Sequence, residues 1–440
     1  MASPQLTTSP SQPARPRVVI VGAGFGGLAA VRALAKAPVE VLLINRTNYH
    51  GFWPLLYQVA TAGLEPESIA YPVRAILRRY RNASFLLAEV TGVDFARRLV
   101  QTSAGPVSYD YLILAAGSTT NFFGNDQIAR YTMGMKDLNE AQRLRNHVLL
   151  CCEHAAAESD PIRRAALLTF AVVGGGPTGV ELAGAFVELI RHVIRHDYPM
   201  LDVQQARVVL IEATSHILAS FPASLQRAAL QRLQQMGVEV RLNTPVAGAD
   251  PHGLSFRDGS RLDAETVVWA AGVRGAPLAD ALGVALGRGA RVVVTPELTL
   301  PDDRRVFVIG DMAYLEGYRP GVAYPMVAPV AIQMGEQAAR NIIAQINDQP
   351  MQPFRYVDKG QMATIGRSAA VLDAFGIRLS GWPAWAGWLF VHLMALVGFR
   401  NRALVLLNWA YSYFTYDRGV RLIFGVGAEE QTVAEAVLRD

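Results

Sequence analysis

The sequence predicts an α/β fold of two strand–glycine turn–helix–strand units, the second inserted into the first, followed by a C-terminal segment of amphipathic helices. Three observations carry this. A glycine-rich turn framed by a strand and a helix occurs twice. Further apolar runs end in Ala-Ala-Gly or Gly-Asp. From Gly381 the composition turns to Trp, Leu and Tyr.

Arg17–Val21 is a β-branched run ending in glycines, Gly26–Lys36 is Ala/Leu-rich and helical, and Val39–Ile44 is a second strand. The pattern returns as the strand Phe170–Val173, the turn Gly174–Gly179, the helix Val180–Arg195 and the strand Arg207–Ile211, an internal repeat. Tyr109–Gly117, Glu265–Gly272 and Val306–Asp311 read as buried strands. The expected division is a disordered Pro/Ser/Thr/Gln-rich tail over 1–16, a first domain over 17–128 and 291–352, a second over 129–290, and a C-terminal domain over 353–440.

The 440 residues suit two or three domains, and 51% hydrophobic against 18% charged residues leans apolar. Mean hydropathy is +0.20, the pI is about 9.1 and the net charge is +4. No Lys/Arg block is dense enough for nucleic acid, whereas a mild basic balance fits an anionic lipid surface. The two cysteines, Cys151 and Cys152, are adjacent, which argues against a disulfide framework and for a reducing compartment. No signal peptide is read before the first strand, so a cytosolic-facing chain is expected.

In both turns the glycines fall in the G-x-G-x-x-G frame, as Gly22, Gly24 and Gly27 and as Gly174, Gly176 and Gly179. This is the phosphate cradle of Rossmann-like domains: a tight turn, close backbone approach to a pyrophosphate, and close helix–strand packing, with the helix N-terminus facing the anion. In the second unit the strand ends in Glu212, whose carboxylate can accept ribose hydroxyls and repels a 2′-phosphate, so NADH is expected there. In the first unit the strand ends in Asn45-Arg46, and Arg46 leaves NADP open. Asp311, at the end of a late strand, tips the balance toward the polyhydroxyl linker of FAD. Two dinucleotides on one chain imply electron transfer between them.

Residues 31–60 contain no cysteine, which excludes a disulfide acceptor after the first helix. Cys151 and Cys152 read as core residues. His192 and His196 have ligand spacing, but Arg191 and Arg195 flank them and no third ligand is evident, so no metal is expected. The tail, Gly381–Phe399 and Ala403–Tyr416, is bracketed by Arg400, Arg402, Arg418 and Arg421. Two short helices lying in a membrane interface fit it best. A dimer or core helical pair and a single membrane span are the other readings. A surface-bound flavin enzyme without a cysteine relay needs an acceptor from lipid, and quinones satisfy that.

The stretches VVIVGAGFGGLAAVRAL, NRTNYHGFWPLLYQVATAGLEP, VVGGGPTGVELAGAF, APVAIQMGEQAARNI, KGQMATIGRSAAV and GFRNRALVLLNWAYSYFTYDRGVRLI resemble the type II NADH:quinone oxidoreductases. The resemblance runs from about residue 17 to 424. It implies two Rossmann-like domains plus a C-terminal membrane-anchoring domain, in a homodimer on the cytoplasmic face of the inner membrane. It implies non-covalent FAD on Gly22, Gly24, Gly26, Gly27, Asn45, Arg46, His50, Pro54, Asp311 and Ala328. NADH is implied on Gly174, Gly176, Gly179, Glu212 and Val273. Glu181 matches a glutamate near the flavin–nicotinamide stack and reads equally as the end of a Thr178-x-x-Glu181 capping box. The family's quinone motif A-Q-x-A-x-Q reads here from Ala328 to Gln333. Pro329 replaces the first Gln, and Ile332 and Gln333 complete the site. The expected function is NADH oxidation through FAD with reduction of a membrane quinone and no proton pumping. The alternatives are a soluble reductase of a protein acceptor and a flavin-based sensor.

Overall fold

The computed structural model describes residues 15–317, 321–415 and 420–423. The tail expected over 1–16 lies outside the described residues up to position 14, as do Tyr416 and Arg418 of the C-terminal segment. The chain divides into two compact units, one of residues 1–48, 73–117 and 275–356, the other of 49–72, 118–274 and 357–440.

The first unit is centred on a five-stranded parallel sheet in the order Val306–Val308, Tyr111–Leu114, Arg17–Val21, Glu40–Asn45 and Ala83–Leu87. Parallel strands buried on both faces need continuous apolar runs, and Val18, Val19, Ile20, Leu112, Ile113 and Leu114 are fully buried. The cradle helix Phe25–Leu34 packs against the helix Ala328–Ile346. Glycines allow this close approach: a Cβ at Gly335 would lie 2.2 Å from the Gly26 carbonyl oxygen.

The second unit repeats the plan. Its parallel sheet runs Glu239–Arg241, Arg207–Ile211, Thr169–Val173 and Thr266–Trp269, with the helix Pro177–Leu189 after the glycine turn. That helix continues as one π-helical stretch, Ile190–Ile194. Cys151 and Cys152 are buried free thiols on the helix Leu138–Ala157.

Within the same unit the chain ends in an antiparallel sheet of Gln361–Thr364, Ala370–Ala374 and Ile377–Gly381. Two helices follow, Trp382–Ala395 and Phe399–Thr415, in agreement with the expected pair. Among the described residues no helix is long and apolar enough to cross a membrane. The second helix is pinned by Asn401, which is buried and donates from Nδ2 to the carbonyl oxygens of Glu67, Ser68 and Ala70 at 3.1–3.2 Å. Its opposite face exposes Leu406, Leu407 and Tyr411, and the first helix exposes Phe390, Val391 and Met394.

Candidate functional site

The two cradles are built alike. The Gly22 N–H donates to Ile44 O and the Gly174 N–H to Ile211 O, both at 2.8 Å. Both residues have positive φ, +106° and +115°. A Cβ at Gly22 would lie 2.2 Å from Ala115 O, and one at Gly174 would lie 2.6 Å from Ala270 O. The Ala-Ala-Gly strand ends therefore press against the first glycine of each cradle, which gives that recurring tripeptide its physical reason.

Gly24 and Gly176 are the N-caps of their helices, and no side chain caps either helix. Nothing lies within 4 Å of the Cβ position at either glycine, so each cradle opens to free space at its helix N-terminus. That is the arrangement an anionic pyrophosphate needs, and both cradles fit a dinucleotide. Gly27 and Gly179 leave no room for a side chain. Their Cβ atoms would stand 1.9 Å from Gly22 O and Gly174 O respectively.

The strand-end residues do more than sequence reasoning gave them. Asn45 Oδ1 accepts from the Ala23 N–H at 3.0 Å, and its Nδ2 donates to Thr47 O at 2.8 Å. Glu212 Oε2 accepts from the Gly175 N–H at 2.7 Å, and its Oε1 accepts from the Thr214 N–H at 2.8 Å. Each thus clamps its own glycine turn, and the Glu212 carboxylate keeps lone pairs for ribose hydroxyls. Arg46 is exposed beside the first cradle strand.

Asp311 stands in the short helical turn Gly310–Met312. The charge of Asp311 favours the cationic form of the buried Arg291 guanidinium, whose pKa is nonetheless lowered by burial. Arg291 Nη1 donates to Tyr324 O at 3.0 Å, whereas Nε and Nη2 have no acceptor among the described residues. Sequence reasoning missed this cation. Ala328 opens its helix, and Pro329 follows at a position where the backbone N–H has no intrahelical partner. The replacement therefore costs the helix nothing. Ile332 and Gln333 lie in its first turns.

The second unit holds two cavities. The smaller, about 140 Å³, brings together Pro54, Glu181 and Val273 with Tyr57, Thr178 and Trp269. The larger, about 530 Å³, is lined by Tyr57, Gln58, Glu181, Glu188, Thr364 and the aromatic residues of the two C-terminal helices. Glu181 and Tyr57 line both. His50 is buried in the strand Tyr49–Gly51 of this unit, and His192 lines the larger cavity.

The capping box does not form. The helix starts at Pro177 with Gly176 as its cap, so Glu181 stands beyond the first turn. Its Oε1 instead accepts from the Thr364 N–H at 3.3 Å. Burial pushes the Glu181 carboxyl up to about 8, and the Thr364 bond pulls weakly the other way. Tyr57 Oη lies 3.1 Å from Thr364 Oγ1 and accepts from Gln58 Nε2 at 3.0 Å, and Gln58 Oε1 accepts from Trp409 Nε1 at 2.8 Å. A hydrogen-bonded chain therefore links the helix Phe399–Thr415 to Glu181. Its members are far apart in sequence, and no local signal reveals it.

Residues 16–335 match the pyridine nucleotide-disulphide oxidoreductase family, and residues 359–416 match the NDH2 C-terminal domain. The chain is 41% identical to the type II NADH:quinone oxidoreductase Ndh of Mycobacterium tuberculosis, over 95% of this chain and 92% of that protein. The chain belongs to the type II NADH:quinone oxidoreductases. A relative from Staphylococcus haemolyticus with the same family name is 30% identical, over 83% of this chain and 92% of its own length. In fold, this family member is similar to NDH2 from Plasmodium falciparum solved in complex with NADH. The TM-score is 0.84 at 19% identity, covering 93% of this chain and 100% of that one. It is also similar to the sulfide:quinone oxidoreductase of Aquifex aeolicus, with a TM-score of 0.68 at 17% identity, covering 97% and 96%.

Proposed function

We propose that the chain oxidises NADH and reduces a membrane quinone, with FAD as the carrier between them. Bound FAD supplies a group that takes up two electrons as hydride and releases them to a second acceptor. Gly22, Gly24, Gly26, Gly27, Asn45 and Asp311 would hold it. Gly174, Gly176, Gly179 and Glu212 would hold NADH, with Val273 beside them. The observation that carries the acceptor assignment is the larger cavity, lined by Trp382, Trp385, Trp388 and Trp409 and bordered by a buried acid.

Quinone reduction consumes one proton beyond the transferred hydride. Burial, which pushes the carboxyl up to about 8, favours the protonated form of Glu181 at pH 7. Glu181 can therefore give a proton to the cavity and be refilled from solvent. A step that draws on that proton weakens as pH rises through about 8. Glu181→Gln should abolish this inflection in the quinone-limited rate, as read from a pH profile at saturating NADH. Retention of the inflection would remove Glu181 from proton supply.

Glu212→Ala should raise the NADH dissociation constant about 10-fold and narrow the gap to NADPH, because it loses both the clamp on the Gly175 N–H and the repulsion of a 2′-phosphate. Titration with the two nucleotides reads this. An unchanged preference would show that another residue selects NADH.

The exposed apolar face formed by Phe390, Leu406, Leu407 and Tyr411, with Arg400 beside it, supports docking on an anionic lipid surface. The reading places the chain at the cytoplasmic face of the inner membrane, paired as a homodimer in keeping with the family resemblance. The double variant Phe390→Glu, Leu407→Glu should lose vesicle binding at least about 10-fold, from the burial of two large side chains. Flotation with anionic vesicles measures it.

A further inference from the structure

One hydroxyl proton in the wall of the larger cavity is left over once the hydrogen bonds of Tyr57, Gln58, Thr364 and Trp409 are drawn. Trp409 Nε1–H can only donate, so the Gln58 oxygen must face it and the Gln58 NH₂ must face Tyr57. Tyr57 Oη therefore accepts from Gln58, and its own proton points elsewhere. Tyr57 and Thr364 share one hydrogen bond in which either oxygen can donate. Two hydroxyl protons and one shared bond leave one proton over, whichever way the bond runs. Both residues line the cavity, so that proton has the cavity as its outlet.

Trp388 is 1% exposed and lends its ring to the same wall, while its indole N–H is sealed from the cavity and has no acceptor among the described residues. Its ring is held in place by stacking on His392, with centroids 4.0 Å apart, and lies 6.5 Å from the Tyr57 ring. A hydroxyl proton left unpaired in the cavity wall is costly, and a site with such a donor favours a ligand that brings an acceptor. The surrounding aromatic walls ask for a flat apolar body.

We propose that the surplus hydroxyl proton of the Tyr57–Thr364 pair is the donor that holds the quinone headgroup by a carbonyl oxygen, with Gln58 and Trp409 as the positioning residues that keep the Tyr57 oxygen an acceptor on its other side. This rests on the quinone reading above. Oxidised quinone offers acceptors only, so it satisfies this donor without adding one of its own. The quinol brings two O–H donors into a wall that already has a surplus, which favours its release.

The test uses flavin-loaded full-length protein and a water-soluble 1,4-naphthoquinone. Binding to the oxidised enzyme is followed by fluorescence quenching, and the bound carbonyl stretch by infrared difference spectroscopy. Tyr57→Phe and Thr364→Val each leave one hydroxyl, so each alone should weaken binding only a few-fold. The double variant removes both. It should lose about 10-fold or more beyond the product of the single effects, and the carbonyl stretch should return toward its free frequency. A double variant that binds like the wild type with an unshifted carbonyl band would overturn the proposal. A wild type that neither binds the quinone nor is reoxidised by it would instead remove the quinone reading itself.

Discussion

Gly179→Ala is expected to give a flavin-loaded protein that NADH reduces about 100-fold more slowly, a loss near 2.7 kcal/mol. The added Cβ would sit 1.9 Å from the Gly174 carbonyl oxygen, so the helix Pro177–Leu189 must move off its strand. That motion drags the uncapped N–H groups away from the pyrophosphate and breaks the alignment of Gly175 with Glu212. The first cradle is untouched, so the visible spectrum should keep its flavin bands. Stopped-flow bleaching by NADH under anaerobic conditions measures the loss. Wild-type bleaching rates would show that NADH binds elsewhere.

Gly27→Ala should produce the complementary defect. Its Cβ would stand 1.9 Å from the Gly22 carbonyl oxygen, the same clash in the first unit. The helix Phe25–Leu34 also lies against Ala328–Ile346 through Gly26 and Gly335, so it has little freedom to shift. The protein should purify with less than about a tenth of the wild-type flavin, the consequence of losing more than about 1.4 kcal/mol of binding. The ratio of visible to ultraviolet absorbance reads it directly, and circular dichroism checks that the fold persists. Full flavin content in this variant would assign FAD to another site.

The cradles were legible because their chemistry is local. A strand, three framed glycines and a helix follow one another directly, and the two copies confirm each other in backbone bonds as close as Gly22 N–H to Ile44 O and Gly174 N–H to Ile211 O, each 2.8 Å. The pair of C-terminal helices was legible from composition. What could not be read was long-range. Thr364 reaches Glu181 across 183 positions, and Trp409 reaches Gln58 across 351. The T-x-x-E pattern at Thr178–Glu181 misled because the glycine turn already provides the cap at Gly176. Pro329 sits at a helix start, where its missing backbone N–H removes no intrahelical bond. Arg291 lay inside a strand sequence with no sign that its guanidinium would be buried beside Asp311.

Electron flow from NADH through FAD to quinone is tested most directly by an anaerobic titration of the purified protein followed in the visible spectrum. Flavin bands should bleach on addition of NADH and recover fully when a soluble quinone is added, with one quinone consumed per flavin. A flavin that bleaches with NADH yet stays reduced in the presence of quinone would contradict the account, and a protein without flavin bands would contradict its first step.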